Sequence, residues 1–145
     1  MNLKKKIEIG DLNDFDMDYF KKLEGQDGWI AIGQEDCTNQ RYFTVFSKSG
    51  EKIGIFGVYD HGDDKNITHT VIDPEFRGQG LSGKLKPIIM DKLNLDYLTL
   101  TIDLDNHASI KAAEKIPGIK KVSDQSYEDD FHKVKYILEK DNKQY

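Results

Sequence analysis

The sequence predicts an α/β fold of the α+β kind, a mixed and mostly antiparallel sheet of six to seven strands with helices packed against it. Three observations lead there. Residues 42–47 and 52–60 are β-rich runs on either side of Lys48-Ser49-Gly50-Glu51, a hairpin pattern. Residues 97–104 alternate, with Leu98, Leu100, Ile102 and Leu104 on one face and Tyr97, Thr99, Thr101 and Asp103 on the other. Between these strands, Leu81, Leu85, Ile88 and Ile89 recur at helical spacing.

In chain order, residues 4–9 alternate weakly and give a first strand. Residues 11–23 read as a helix from the spacing of Leu12, Phe15, Tyr19, Phe20 and Leu23, closed by Gly25. Residues 25–40 fit either a short strand around Trp29, Ile30 and Ile32 or part of a second helix, with Cys37 in a polar loop. Gly54 and Gly57 interrupt the second hairpin strand and mark a bulge or a close backbone approach. A polar turn, His61-Gly62-Asp63-Asp64-Lys65, leads to a strand at 66–72. The next helix opens near Gly80 and runs to about Leu93. It contains Pro87, which removes a backbone hydrogen bond at roughly 3 kcal/mol or kinks the helix. Apolar spacing continues past it, so a bend is expected and not a break. A short helix at 109–116, stopped by Pro117-Gly118, and strands at 119–122 and 131–139 finish the order.

A chain of 145 residues makes one domain, here 1–140, with a frayed tail at 141–145. No apolar run approaches the roughly 20 residues that cross a bilayer, so no membrane partner is expected. The basic N-terminus lacks the apolar segment of a signal peptide. A lone cysteine forms no internal disulfide, which suits a reducing cytoplasm. A net charge of −5 argues against a nucleic-acid partner.

The informative stretch is T-H-T-V-I-D-P-E-F-R-G-Q-G-L-S-G-K-L, from Thr68 to Leu85. It reads strand, polar crossing, helix. Gly78 and Gly80 flank Gln79, so the backbone there adopts conformations closed to other residues and approaches a ligand closely. The helix that follows aims unpaired N–H groups and its positive dipole end at the same place, which suits a phosphate. Arg77, Lys84, Lys86 and Lys111 cluster around it in sequence. Neither G-x-x-x-x-G-K-[ST] nor G-x-G-x-x-G is present.

Arg77, Gly80 and Ser82 resemble the Q/R-x-x-G-x-G/A acyl-CoA pyrophosphate loop of the GNAT N-acetyltransferase superfamily, with serine in place of the last Gly or Ala. A second landmark, N-H-A-S-I-K-A-A-E-K-I-P-G-I, keeps the family's Asn and Gly but replaces its Phe with Ile119. The resemblance covers about 41–139 and implies a GNAT-like sheet with helices on both faces and a splay between two central parallel strands. It implies acetyl-CoA as the cofactor. Val71 and Ile72 would pair with the pantetheine arm, and Arg77, Gly78, Gln79, Gly80, Leu81 and Ser82 would hold the pyrophosphate. Asn106 and Ser109 would touch the pantetheine or adenosine portion, or simply cap the following helix.

The implied reaction is aminolysis of a thioester by a primary amine, which arrives mostly protonated with a pKa near 10.4. A base is therefore expected. Relatives often place a carboxylate at the start of the strand before the loop, where this chain has Asn66. His69 is the titratable side chain within that strand, as a base or as a packed histidine. Many relatives use a tyrosine to protonate the thiolate, and Ala113 stands at that position. Tyr127 is then either the donor or a rim aromatic. Asp60, Asp63, Asp64, Glu128, Asp129 and Asp130 lie in loops that border the acceptor cleft of relatives and would attract a cationic amine. The family's frequent homodimers make a homodimer an open expectation. An acyl-CoA-binding sensor without turnover, and an unrelated interaction domain, stay as alternatives.

Overall fold

The computed structural model describes residues 6–123 and 133–140. Its strands are β1 (Ile9–Asp14), β2 (Cys37–Ser47), β3 (Lys52–His61), β4 (Asp64–Ile72), β5 (Tyr97–Asp103), β6 (Ile119–Ser123) and β7 (Lys133–Glu139). The helices are α1 (Met17–Glu24), α2 (Leu81–Leu93) and α3 (His107–Glu114). The strands form one sheet in the order β1-β2-β3-β4-β5-β7-β6. Neighbours are antiparallel except β4 and β5, which run parallel.

The first strand and helix differ from the sequence expectation. Residues 11–14 are not helical: Leu12, Asn13 and Asp14 pair with Val45, Thr44 and Phe43 of β2. The helix begins only after Asp16, whose extended backbone and side chain cap it by accepting the Tyr19 N–H at 3.1 Å. Leu12 and Phe15 matched the helical spacing by coincidence, since strand burial accounts for Leu12 as well. Gly25 closes α1 as expected. Residues 25–36 contain neither strand nor helix, and Cys37 is buried at the start of β2, not held in a polar loop. α2 continues unbroken through Pro87, which faces solvent. Water there can serve the Gly83 carbonyl that lost its intrahelical donor.

Two apolar layers cover the sheet. On one face, Tyr19 and Phe20 of α1 pack with Ile30, Tyr42, Ile55, Tyr59, Ile67 and Val71. On the other, Leu81, Leu85 and Ile89 of α2 and Ala113 of α3 pack with Phe56, Val58, Leu98, Leu100 and Tyr136. Leu85 and Ile89 are fully buried, and each such side chain contributes about 1.5–3 kcal/mol. Helices thus lie on both faces.

β4 and β5 are stapled at one end and part at the other. Their register holds one pair, Ile67 opposite Thr99. Around it, Asn66 Nδ2 donates to the Tyr97 carbonyl at 3.0 Å, and Thr99 Oγ1 donates to the Lys65 carbonyl at 2.8 Å. Lys135 of β7 reaches Asp64 at 2.7 Å. Asn66 sits at φ 58, a left-handed conformation that asparagine tolerates. Its N–H donates to the buried Asp60 carboxylate at 2.9 Å. Beyond this staple no further β4–β5 pair forms, and a gap opens toward Ile72 and Asp103.

Candidate active site

β4 is the spine of the site, and the alternation of its peptide groups decides what faces the gap. Asp73 N donates to the Ile53 carbonyl at 2.9 Å. With Ile55 opposite Val71 and Gly57 opposite His69, the antiparallel alternation makes these hydrogen-bonded pairs too. The peptide groups of His69 and Val71 therefore point to β3, and those of Thr70 and Ile72 point into the gap. The Ile72 carbonyl accepts from Arg77 Nε at 2.9 Å, which ties the loop to the strand end. Thr70 also holds a buried hydroxyl with no hydrogen-bond partner. An orphan hydroxyl beside an unpaired strand edge fits an amide-bearing ligand laid along that edge.

The gap leads to the loop at 77–82. Gly78 and Gly80 have φ 87 and 72, the left-handed region that glycine occupies without strain. Gly80 is the N-cap of α2 and brings no side chain to cap it. The first helical N–H groups therefore face outward with the dipole behind them. A β-carbon at Gly80 would meet nothing within 4 Å, so the space above these groups is open. Gln79 turns away, its Oε1 accepting the Ile7 N–H at 2.8 Å. Leu81 is a core residue, 2% exposed. These features fit a diphosphate.

His69 lies on the α1 face. Its ring has edge or tilted contacts with Phe20, Trp29 and Tyr42 at centroid distances of 5.9, 5.5 and 5.7 Å. The Tyr42 hydroxyl accepts the Ala31 N–H at 3.2 Å and lies 2.8 Å from His69 Nδ1, to which its one proton can be donated. On that arrangement the imidazole proton is assigned to Nε2. Burial pushes the His69 pKa down to about 4, so the ring is neutral at neutral pH. Trp29, half exposed, leans on both Tyr59 and His69 and forms the outer wall.

The remaining sequence-predicted residues fall in different places. Asn106 Oδ1 accepts the Ser109 N–H at 3.2 Å, so the pair caps α3. Ala113 is buried and offers no hydroxyl. Tyr127 and the acids 128–130 lie outside the described residues. Asp60 and Asp64 are engaged at the staple, and Asp63 is exposed. A hollow lined by Asp14, Asp16, Lys52 and Lys92 opens on β1 and β2 and includes none of the loop residues. Sequence reasoning missed Tyr42 and Thr70. It counted Lys86 as a sequence neighbour of the loop, whereas its side chain is buried beneath that loop, 3% exposed.

Comparison with known proteins agrees with this geometry. A family model described as an acetyltransferase (GNAT) domain matches residues 12–117, well over half of the chain. No curated protein matches the sequence. Among solved structures, a spermidine N-acetyltransferase chimera from Vibrio cholerae and hSSAT is 14% identical, with 89% of this chain and 94% of that chain covered and a TM-score of 0.65. An acetyltransferase from Agrobacterium tumefaciens is 18% identical over 97% of this chain and 99% of that one, also at 0.65. The Campylobacter jejuni N-acetyltransferase PseH, in complex with acetyl coenzyme A, is 15% identical over 85% and 76%, at 0.56. At these identities the likeness is one of fold. Together with the family match, it makes this chain a member of the GNAT acetyltransferase family.

Proposed function

We propose that the protein transfers an acetyl group from acetyl-CoA to a primary amine. The observation that carries this reading is the open β4 edge running straight into an uncapped helix N-terminus framed by two left-handed glycines. Bound there, acetyl-CoA supplies an activated acetyl thioester. Thr70 and Ile72 peptide groups pair with the pantetheine arm, which shifts the backbone role from Val71 to its two neighbours. The N–H groups at 78–82 hold the diphosphate, and the Ile72 N–H polarises the thioester carbonyl. Asn106 and Ser109 border the cofactor only through the capped end of α3.

The acceptor enters on the α1 face, between Trp29 and His69. As the amine nitrogen bonds to the acetyl carbon, its N–H becomes acidic and the carbon–sulfur bond breaks. His69 handles that proton. Its ring is already neutral, and it accepts at Nδ1 once the Tyr42 hydroxyl turns away. Tyr127 is assigned as the donor to the departing thiolate from sequence position alone. Thiol release from acetyl-CoA, followed across a set of primary amines, tests the reading. Turnover with at least one amine is expected. Binding of acetyl-CoA with no turnover on any amine would favour a non-catalytic acyl-CoA binder, the reading that Ala113 supports.

A further inference from the structure

Lys86 is buried in α2, 3% exposed. Its ammonium donates to the Ser82 carbonyl at 3.2 Å and to Ser82 Oγ at 3.0 Å, and rests over the Phe56 ring at 5.8 Å. No carboxylate among the described residues forms an ion pair with it. The two carboxylates on that sheet face and on α3, Asp60 and Glu114, are engaged elsewhere. Asp60 takes the Asn66 N–H, and Glu114 accepts from Tyr136 at 2.8 Å. By strand alternation, the residues of β3, β4 and β5 turned to the α2 face include Phe56, Val58, Thr68, Thr70, Ile72, Leu98 and Leu100, none of them ionisable. Burial lowers the Lys86 pKa to about 8. An unpaired buried charge is costly and calls for a partner.

The side chain runs back toward the start of its helix, as long side chains in helices do. Its charge therefore sits about one turn, roughly 5 Å, behind the N–H groups of the loop. Because Ser82 Oγ already accepts from Lys86, the serine hydroxyl proton is free to donate outward. We propose that Lys86 and Ser82 act as a coupled pair that reads the diphosphate. Lys86 is the buried counter-charge, and Ser82 passes its hydrogen bond on to a phosphate oxygen. The serine that departs from the family's Gly or Ala is thereby explained together with the buried lysine. The inference rests on the acetyl-CoA reading and deepens it.

Calorimetric titration of acetyl-CoA into wild type, K86M, S82A and the double variant tests the pair, with thermal unfolding of each free protein. K86M should raise Kd at least tenfold while leaving the free protein's Tm unchanged or higher, because the methionine removes a buried charge. S82A should raise Kd by a smaller factor, and the double variant should bind no more weakly than K86M, the signature of coupling. Wild-type affinity should also fall as pH rises past 8, and the K86M profile should not. Equal Kd values for K86M and wild type would overturn the pair, as would strictly additive losses. If G80V loses binding while K86M keeps it, the pair fails and the acetyl-CoA reading stands. If wild type binds no acetyl-CoA, both fail.

Discussion

His69 makes the protein acid-sensitive by an amount that can be worked out. Its folded pKa is about 4 because the half-buried ring is desolvated among Phe20, Trp29 and Tyr42. In the unfolded chain it returns to about 6.5. The folded value is the lower one, so as pH falls the unfolded chain takes up the proton first. Stability from this group is therefore complete above about pH 7 and is lost through the window from 6.5 to 4. Linkage gives a loss of about 1 kcal/mol by pH 6, about 2 by pH 5 and about 3 by pH 4. Urea unfolding across this range, on wild type and H69Q, measures it. Glutamine keeps an acceptor for the Tyr42 hydroxyl but takes up no proton. Carboxylates titrate in both proteins, so the difference between the two curves isolates the histidine. A difference that stays flat from pH 7 to pH 4, within about 0.5 kcal/mol, would refute the assignment of a desolvated, neutral imidazole.

Three further outcomes follow from the same geometry. Y42F leaves the Ala31 N–H, on a residue 0% exposed, without its acceptor and His69 Nδ1 without its donor. It should cost about 1–3 kcal/mol in denaturation and move the His69 midpoint upward in an NMR titration. G80V forces a β-branched residue to φ 72 with nothing to clash against, so about 1–2 kcal/mol of backbone strain is expected in a protein that still folds. Acetyl-CoA should then give no thermal shift. N66A removes the Nδ2 bond to Tyr97 and strains φ 58, so unfolding should show a loss of about 1–2 kcal/mol, with faster amide exchange at Thr68.

Much of the fold was legible because its signals are periodic. The alternation of β5 and the hairpin of β2 and β3 follow from side-chain period alone, and the α2 boundary from Gly80. The helix start was set too early because Leu12 and Phe15 extend the helical spacing of Tyr19, Phe20 and Leu23, although Leu12 lies in β1 and Phe15 just beyond its end. What separates strand from helix is a single capping interaction at Asp16, which a window of hydrophobicity does not weigh. The loop's residue types were readable, but the identity of the strand groups that face the gap was not. That depends on which pairs of β3 and β4 share hydrogen bonds, a property of register that turns the peptide groups of Thr70 and Ile72, and not those of Val71, to the gap.

Asn66 shows why a residue can look like a loss of function and be something else. At the place where relatives often carry a carboxylate, an asparagine suggests a missing base. In the structure its amide, left-handed backbone and N–H together pin β4 to β5 and to Asp60. A carboxylate there would set a negative charge against the Tyr97 carbonyl and beside Asp60, so the staple and a base at this position exclude one another on electrostatic grounds. The fold thus uses position 66 to close one end of the strand pair. Because the strands are fixed there and nowhere beyond, the gap at Thr70 and Ile72 stays open. In the proposed reaction proton handling is given instead to His69, three residues along β4 and turned to the α1 face, where it meets Phe20, Trp29 and Tyr42.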